Sequence, residues 1–119
     1  MRITQLRGDD GTVVCARCTV ASSPLARMRG LLGRSSLAPD EGMLFTRTGS
    51  IHMFFMRFAI DVVFCDGDLQ VLKVVPDLPP WRTAAARGAK VTIELPVGGA
   101  AGLEPGDRLV LDDEESLAD

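Results

Sequence analysis

Apolar and polar positions alternate over short runs along most of this chain, and the runs are cut by glycine, proline and aspartate. "TVVCARCTVA" (12–21) is rich in β-branched residues and predicts a strand. Residues 1–9 read as an edge strand or a loose arm, with "GDDG" (8–11) as the turn between them. "KVTIELP" (90–96) alternates Val91, Ile93 and Leu95 with Thr92 and Glu94, the pattern of a half-buried strand with the two polar residues outward. "MLFTR" (43–47) and "RLVL" (108–111) predict further short strands, and "RSSLAPDEG" (34–42) predicts a loop. The run "SIHMFFMRFAIDVVFCD" (50–66) predicts two strands, about 51–57 and 60–65, bent or joined near Phe58-Ala59. Asp66-Gly67 is a hairpin signal, with "LQVLKVV" (69–75) as the return strand.

One segment breaks the short period. In "SSPLARMRGLLG" (22–33), Ser23 can cap a helix, Pro24 fits its first position and Gly33 can end it. Leu25, Met28 and Leu32 then form a core-facing stripe, which predicts a short helix at about 23–32. The prolines of "PDLPPW" (76–81) remove backbone donors, so that segment reads as an irregular crossover, with Trp81 covering an open end of the core. Residues 97–107 read as loop, closed by the turn Glu104-Pro105-Gly106-Asp107. Together these elements predict a mainly β domain, barrel-like or sandwich-like, over residues 1–111, followed by a disordered acidic tail at 112–119.

Charge adds one correction to this picture. The net −3 of the chain is dominated by "DDEESLAD", which holds five acids, so residues 1–111 are near +2. Eleven of the thirteen bases are Arg, and five of those (Arg27, Arg29, Arg34, Arg47, Arg57) lie between positions 27 and 57. Such a distribution favours local pairing with anions or carboxylates over a broad basic face. Aromatic residues are scarce and Tyr is absent, which weighs against a stacking platform for nucleic acid. The first residues lack the apolar core of a signal peptide, and no apolar run reaches the ~20 residues of a membrane span. A cytoplasmic location with reduced cysteines is therefore the expectation.

Two groups of residues invite a chemical reading. Cys15-Ala-Arg-Cys18 has the spacing of a redox pair or half a zinc site. Its strand-like flanks place the two side chains on opposite faces, so the expectation is apolar packing, without metal or cofactor. His52, the only histidine, shares the most apolar stretch with Arg57 and Asp61, where burial without partners would be costly. Asp61 can reach back to a backbone amide or to an Arg: either it pairs with Arg34 or Arg57 as a structural lock, or Arg34, His52, Arg57 and Asp61 line a site for a small polar or anionic ligand. A hydrolase-like alternative uses His52 as a base held by Asp61. No nucleophile elbow or phosphate loop accompanies it. A third reading has the apolar central block mediate contact with a protein partner or a second copy.

"RMRGLLGR" (27–34), "EGMLF" (41–45), "HMFFMRFAIDVVFCD" (52–66) and "IELPVGGAAGLEPGDRL" (93–109) together resemble the bacterial and archaeal family called domain of unknown function 192. Arg27, Gly30, Leu31, Leu32 and Arg34 match its first block; Phe55, Met56, Arg57 and Asp61 match its central one. A Phe stands where the family often has Trp, and Ala59 where it often has Pro. The resemblance implies a compact β-rich domain whose recurring charged positions are here Arg34, Arg57, Asp61 and Asp107. It implies no established activity, cofactor or substrate, and relatives both with and without an export segment.

Overall fold

The computed structural model describes residues 2–21, 31 and 33–112. Nine strands form among the described residues: β1 (Arg2–Gly8), β2 (Val13–Ala21), β3 (Glu41–Thr46), β4 (Ser50–His52), β5 (Ile60–Cys65), β6 (Val71–Leu78), β7 (Thr83–Ala85), β8 (Val91–Leu95) and β9 (Leu109–Leu111). Seven of them form one sheet in the order β6-β5-β8-β3-β2-β1-β9, while β4 and β7 make a separate two-stranded ribbon. The mainly β expectation holds. The helix expected at 23–32 lies outside the described residues, Leu31 excepted, as does the acidic tail beyond Asp112.

The long sheet curls until its two edges approach. Gln70 bridges Arg108, Leu109 N–H donates to Leu69 O, and Val71 N–H donates to Asp107 O, so the starts of β6 and β9 meet. This partial closure gives the fold its half-barrel character and shields part of two sheet edges that would otherwise offer unpaired backbone groups. β1 is consequently no loose arm or edge: it is bonded to β2 on one side and β9 on the other. Among the described residues only β2 and β3 pair in parallel, which requires a crossover of a dozen or more residues. The chain supplies it with the segment 22–40 between those strands.

Two apolar clusters lie on opposite faces of the central strands. Leu44, Val63, Ile93 and Leu95 join one; Met43, Phe45, Val62 and Phe64 join the other. A strand covered on both faces loses its polar-out pattern, and β8 shows the consequence. All five of its residues are buried, Thr92 and Glu94 at 0% exposure. The outward placement expected for these two is thus corrected, because the second cluster covers their face; Thr92 Oγ1 donates to Thr48 O at 2.6 Å there.

A bulge corrects a second reading. Thr4 faces Cys18 and Leu6 faces Cys15, so three steps on β2 oppose two on β1. The extra residue reverses the alternation, and both thiols enter the same apolar cluster instead of pointing to opposite faces. The Cys18 thiol, hydrogen-bonded to Cys15 and buried, is raised well above the ordinary thiol range, while the same contact lowers Cys15. Cys65 is pushed up to about 12 by burial. No group of three or more potential metal-ligating side chains occurs among the described residues. Elemental analysis of the purified protein should accordingly find no stoichiometric zinc, with or without Cys15→Ser; one zinc per chain, lost in that variant, would contradict this.

β6 runs further than expected, through Pro76 to Leu78. It lies at the edge of the sheet, where a missing N–H is tolerated. A bulge opposite Ile60–Val62 and a positive φ of 51° at Asp77 absorb the misfit. β3 likewise begins two residues earlier than expected, taking in Glu41 and Gly42.

Candidate functional site

The most distinctive local structure grows from the segment whose strand was expected to run to residue 57. β4 stops at His52, and the chain turns at once, with Met56 N–H donating to Met53 O at 3.2 Å and Phe55 at φ 67°. The residues around β4 and β7 run side by side. Thr48 N–H donates to Lys90 O and Ala86 N–H to Gly49 O; Ser50, Ile51 and His52 then face Ala85, Ala84 and Thr83. Gly49 has to be glycine, since a Cβ there would lie 2.7 Å from the Ala89 carbonyl oxygen. Ile51 is buried in the second apolar cluster and pins the ribbon to the sheet, leaving Ser50, His52, Thr83 and Ala85 on its exposed face.

At its far end the ribbon closes around Met53, which is fully buried. Met53 N–H donates to Arg82 O, and Met53 O accepts from Trp81 N–H, both at 2.7 Å. This clasp presents a row of rings. His52 stacks on Phe54 at 4.7 Å, Phe54 meets Trp81 at 5.9 Å, and Trp81 meets Phe55 at 4.9 Å. Phe54, Phe55 and Trp81 are exposed, so Trp81 does not cover an open end of the core. Phe55 and Trp81 both hold left-handed backbone, at φ 67° and 71°. For bulky residues that costs of order 1–3 kcal/mol each and persists only when surrounding contacts enforce it.

Beside the ribbon lies a cleft of about 810 Å³ bounded by Phe45, Thr48, Ser50, His52, Lys73 and Thr83. That is within the usual range for small-ligand sites. Lys73 Nζ donates to Ala85 O at 2.9 Å, which uses one of its three donors. No carboxylate is among the described lining residues.

The four residues singled out from sequence do not converge here. Arg34 forms a fork with Glu41, at 2.7 and 3.2 Å, rather than pairing with Asp61. Glu41 also accepts the Ala38 N–H, and these contacts hold its carboxyl below the ordinary value of 4.5. A depressed carboxyl contributes stability that is complete above its unfolded value and fades as pH falls through the folded one. Arg34→Ala should therefore lose a modest amount at pH 7, under about 1 kcal/mol for so exposed a pair. Urea midpoints of variant and wild type should draw together below pH 4.5.

Asp61 is 2% exposed, and its partners are backbone amides. Oδ1 accepts from Asp77 N–H at 2.9 Å; Oδ2 accepts from Gly98 N–H at 3.1 Å and Ala100 N–H at 3.0 Å. Neither Arg34 nor Arg57 is needed to satisfy it: of the two kinds of partner expected, the backbone amide is found and the ion pair is corrected. Arg57 is exposed just beyond the aromatic tip. Asp107 accepts the Glu104 N–H and closes the turn it was read into. Of the four candidates, His52 alone lines the ribbon cleft. Lys73, Phe54, Phe55 and Trp81 were not singled out as site residues. For the three aromatics the signal that could have found them is the absence of any acid from 47–60 and 79–93, two segments that carry five bases; no such signal marks Lys73, which lies outside both.

Comparison with known proteins shows what the chain as a whole is similar to. The DUF192 family, described as "Uncharacterized ACR", matches residues 5–111. A UPF0127 protein of Thermococcus sibiricus is 36% identical over 74% of this chain and 60% of its own length. One from Pyrococcus horikoshii is 34% identical over 76% and 83%. Another, from Pyrococcus furiosus, is matched over only 53% of its length, so the chain spans a little over half of some of these relatives. Among solved structures, "a putative transcription regulator" from Sinorhizobium meliloti superposes with a TM-score of 0.76 at 27% identity, covering 92% of each chain. A protein of unknown function from Novosphingobium aromaticivorans gives 0.75 at 25% identity, over 91% of this chain and 83% of that one.

Proposed function

The chain belongs to the uncharacterised DUF192 family, and we propose that it is a non-enzymatic binding module that takes a small anionic ligand in the cleft beside the β4–β7 ribbon. The observation that carries this reading is the lining: the Lys73 ammonium, the His52 imidazole and the hydroxyls of Ser50 and Thr83 surround the space, with no carboxylate among them. Lys73 keeps two donors for an anion after its bond to Ala85 O. Phe45, Ile51 and Ala84 give the cleft an apolar wall. A few polar groups set in such a wall are the usual make-up of a small-ligand site.

The hydrolase-like alternative is less well supported. A base held by Asp61 needs a carboxylate oxygen free to receive the imidazole N–H. Both oxygens of Asp61 instead accept backbone amides, from Asp77, Gly98 and Ala100. The carboxylate acts as a bracket between β6 and the 97–100 turn.

A thermal-shift screen with phosphate esters, monocarboxylates and dicarboxylates tests the proposal, followed by titration of any member that raises the melting temperature. Lys73→Ala should weaken that member about tenfold or more, since a charge-assisted hydrogen bond contributes about 1.5–3 kcal/mol and 1.4 kcal/mol is tenfold. If no anion shifts the melting temperature, or if Lys73→Ala leaves affinity unchanged, the cleft is not the site.

A further inference from the structure

We infer that the aromatic tip of the ribbon is a docking surface for anionic lipid headgroups, a peripheral membrane contact separate from the ribbon cleft. Phe54, Phe55 and Trp81 are 41%, 68% and 58% exposed and touch in a row, so three large rings form one apolar end. Phe55 and Trp81 are held in left-handed backbone, and the Trp81 amide is fastened to the buried Met53. The fold thus holds these rings outward against their own conformational preference. None of the three lines the neighbouring cleft.

Charge selects the partner. Arg57 and Arg82 are exposed and adjoin the tip, while the exposed Arg47, Arg87 and Lys90 belong to the other end of the ribbon, where Thr48 pairs with Lys90. The two segments that build the ribbon and its tip, 47–60 and 79–93, hold none of the sixteen acids of a chain whose net charge is −3. An apolar end flanked by cations of one sign suits the headgroup region of an anionic bilayer, where aromatic rings settle at the interface and bases meet lipid charge. A stacking platform for nucleic acid bases needs open ring faces. Here one face of Phe54 is already covered by the stacked His52 ring, and Trp81 meets both phenylalanines at a tilt, so the three rings do not present a row of parallel faces.

Trp81 is the only tryptophan and there is no tyrosine, so intrinsic fluorescence reports the tip and nothing else. The test adds vesicles of phosphatidylglycerol mixed with phosphatidylcholine to the full chain, with pure phosphatidylcholine vesicles and a duplex oligonucleotide in parallel. The expected result is a blue shift of emission and cosedimentation with the anionic vesicles alone, weakened by added salt. Each base near such a surface contributes about fivefold. The doubly substituted Arg57→Glu, Arg82→Glu chain, both positions being exposed, should therefore lose at least about tenfold in partitioning with its far-UV circular dichroism unchanged. No shift with anionic vesicles overturns the inference, as does an equal shift with pure phosphatidylcholine. Binding to the oligonucleotide without binding to vesicles overturns it in favour of a nucleic acid partner. Because the cleft screen uses soluble anions and Lys73, the two proposals fail independently.

Discussion

Asp61→Ala is expected to lose about 4–6 kcal/mol of folding stability, since hydrogen bonds to a charged group contribute about 1.5–3 kcal/mol each and are not fully additive. Three backbone donors depend on that carboxylate: the amides of Asp77, Gly98 and Ala100. The carboxylate is 2% exposed, so water does not readily replace it. Small domains have about 5–15 kcal/mol in total, and the variant should be unfolded or close to it at ambient temperature. Asp61→Asn tests the charge separately. It keeps one acceptor oxygen but turns an N–H group toward an amide donor, so it should recover only part of the loss. His52→Ala, which removes an exposed ring stacked on Phe54, should cost under about 1 kcal/mol. Chemical denaturation of the three variants decides the matter. Wild-type stability in Asp61→Ala would mean that the three amides find other acceptors, and Asp61 would return as a candidate functional group.

The identity of Asp61 as an anchor was legible in sequence; its partners were not. A carboxylate at the head of "VVF" is conspicuous because charge is costly in an apolar run. The sequence nearby offers arginines, and an ion pair is the obvious local inference. The actual donors come from positions 77, 98 and 100, brought in by a bulge in β6 and a turn after β8, which no local pattern encodes. The same limit explains the thiols. Strict alternation puts Cys15 and Cys18 on opposite faces, and one extra residue on β2, visible only in the pairing with β1, reverses that.

The strands that sequence placed well are those bounded by turn chemistry, such as the β5–β6 hairpin. There Asp66 Oδ1 accepts the amides of Asp68 and Gln70. Where a strand is covered on both faces, its position was legible but its orientation was not. In β8, Thr92 and Glu94 mimic a solvent face while lying under the second cluster. The apolar run 50–60 misled in the opposite direction. Its phenylalanines look like core, yet the chain turns at Met53 and leaves Phe54 and Phe55 outside. Of the residues lining the ribbon cleft, His52 is the one singled out from sequence. The ribbon that gives His52 its neighbours is a tertiary product, since β4 and β7 are three residues each and too short to be marked by periodicity.

Gly42→Ala should be the most damaging of the minimal changes, one methyl group costing about 1–3 kcal/mol, as overpacking of a tight core does. Gly42 sits in β3 opposite Cys18 and next to β8, within the part of the sheet buried on both faces. A Cβ there would lie 2.8 Å from Cys15 Sγ, 2.9 Å from Leu95 Cδ2 and 3.0 Å from the Glu94 carbonyl oxygen. The leucine methyl can swing, but Cys15 is a short side chain against Cys18, and the carbonyl belongs to a neighbouring strand. Relief therefore has to come from spreading β3 away from β8 or from displacing the thiol. The two routes separate experimentally. If the thiol is the obstacle, Cys15→Ala should recover much of the loss in the double variant, a coupling that a thermodynamic cycle measures directly. If the Glu94 carbonyl is the obstacle, the two losses should simply add. A Gly42→Ala chain as stable as wild type in urea would mean that the sheet yields here at no cost, and that the close packing of β2, β3 and β8 is looser than these distances imply.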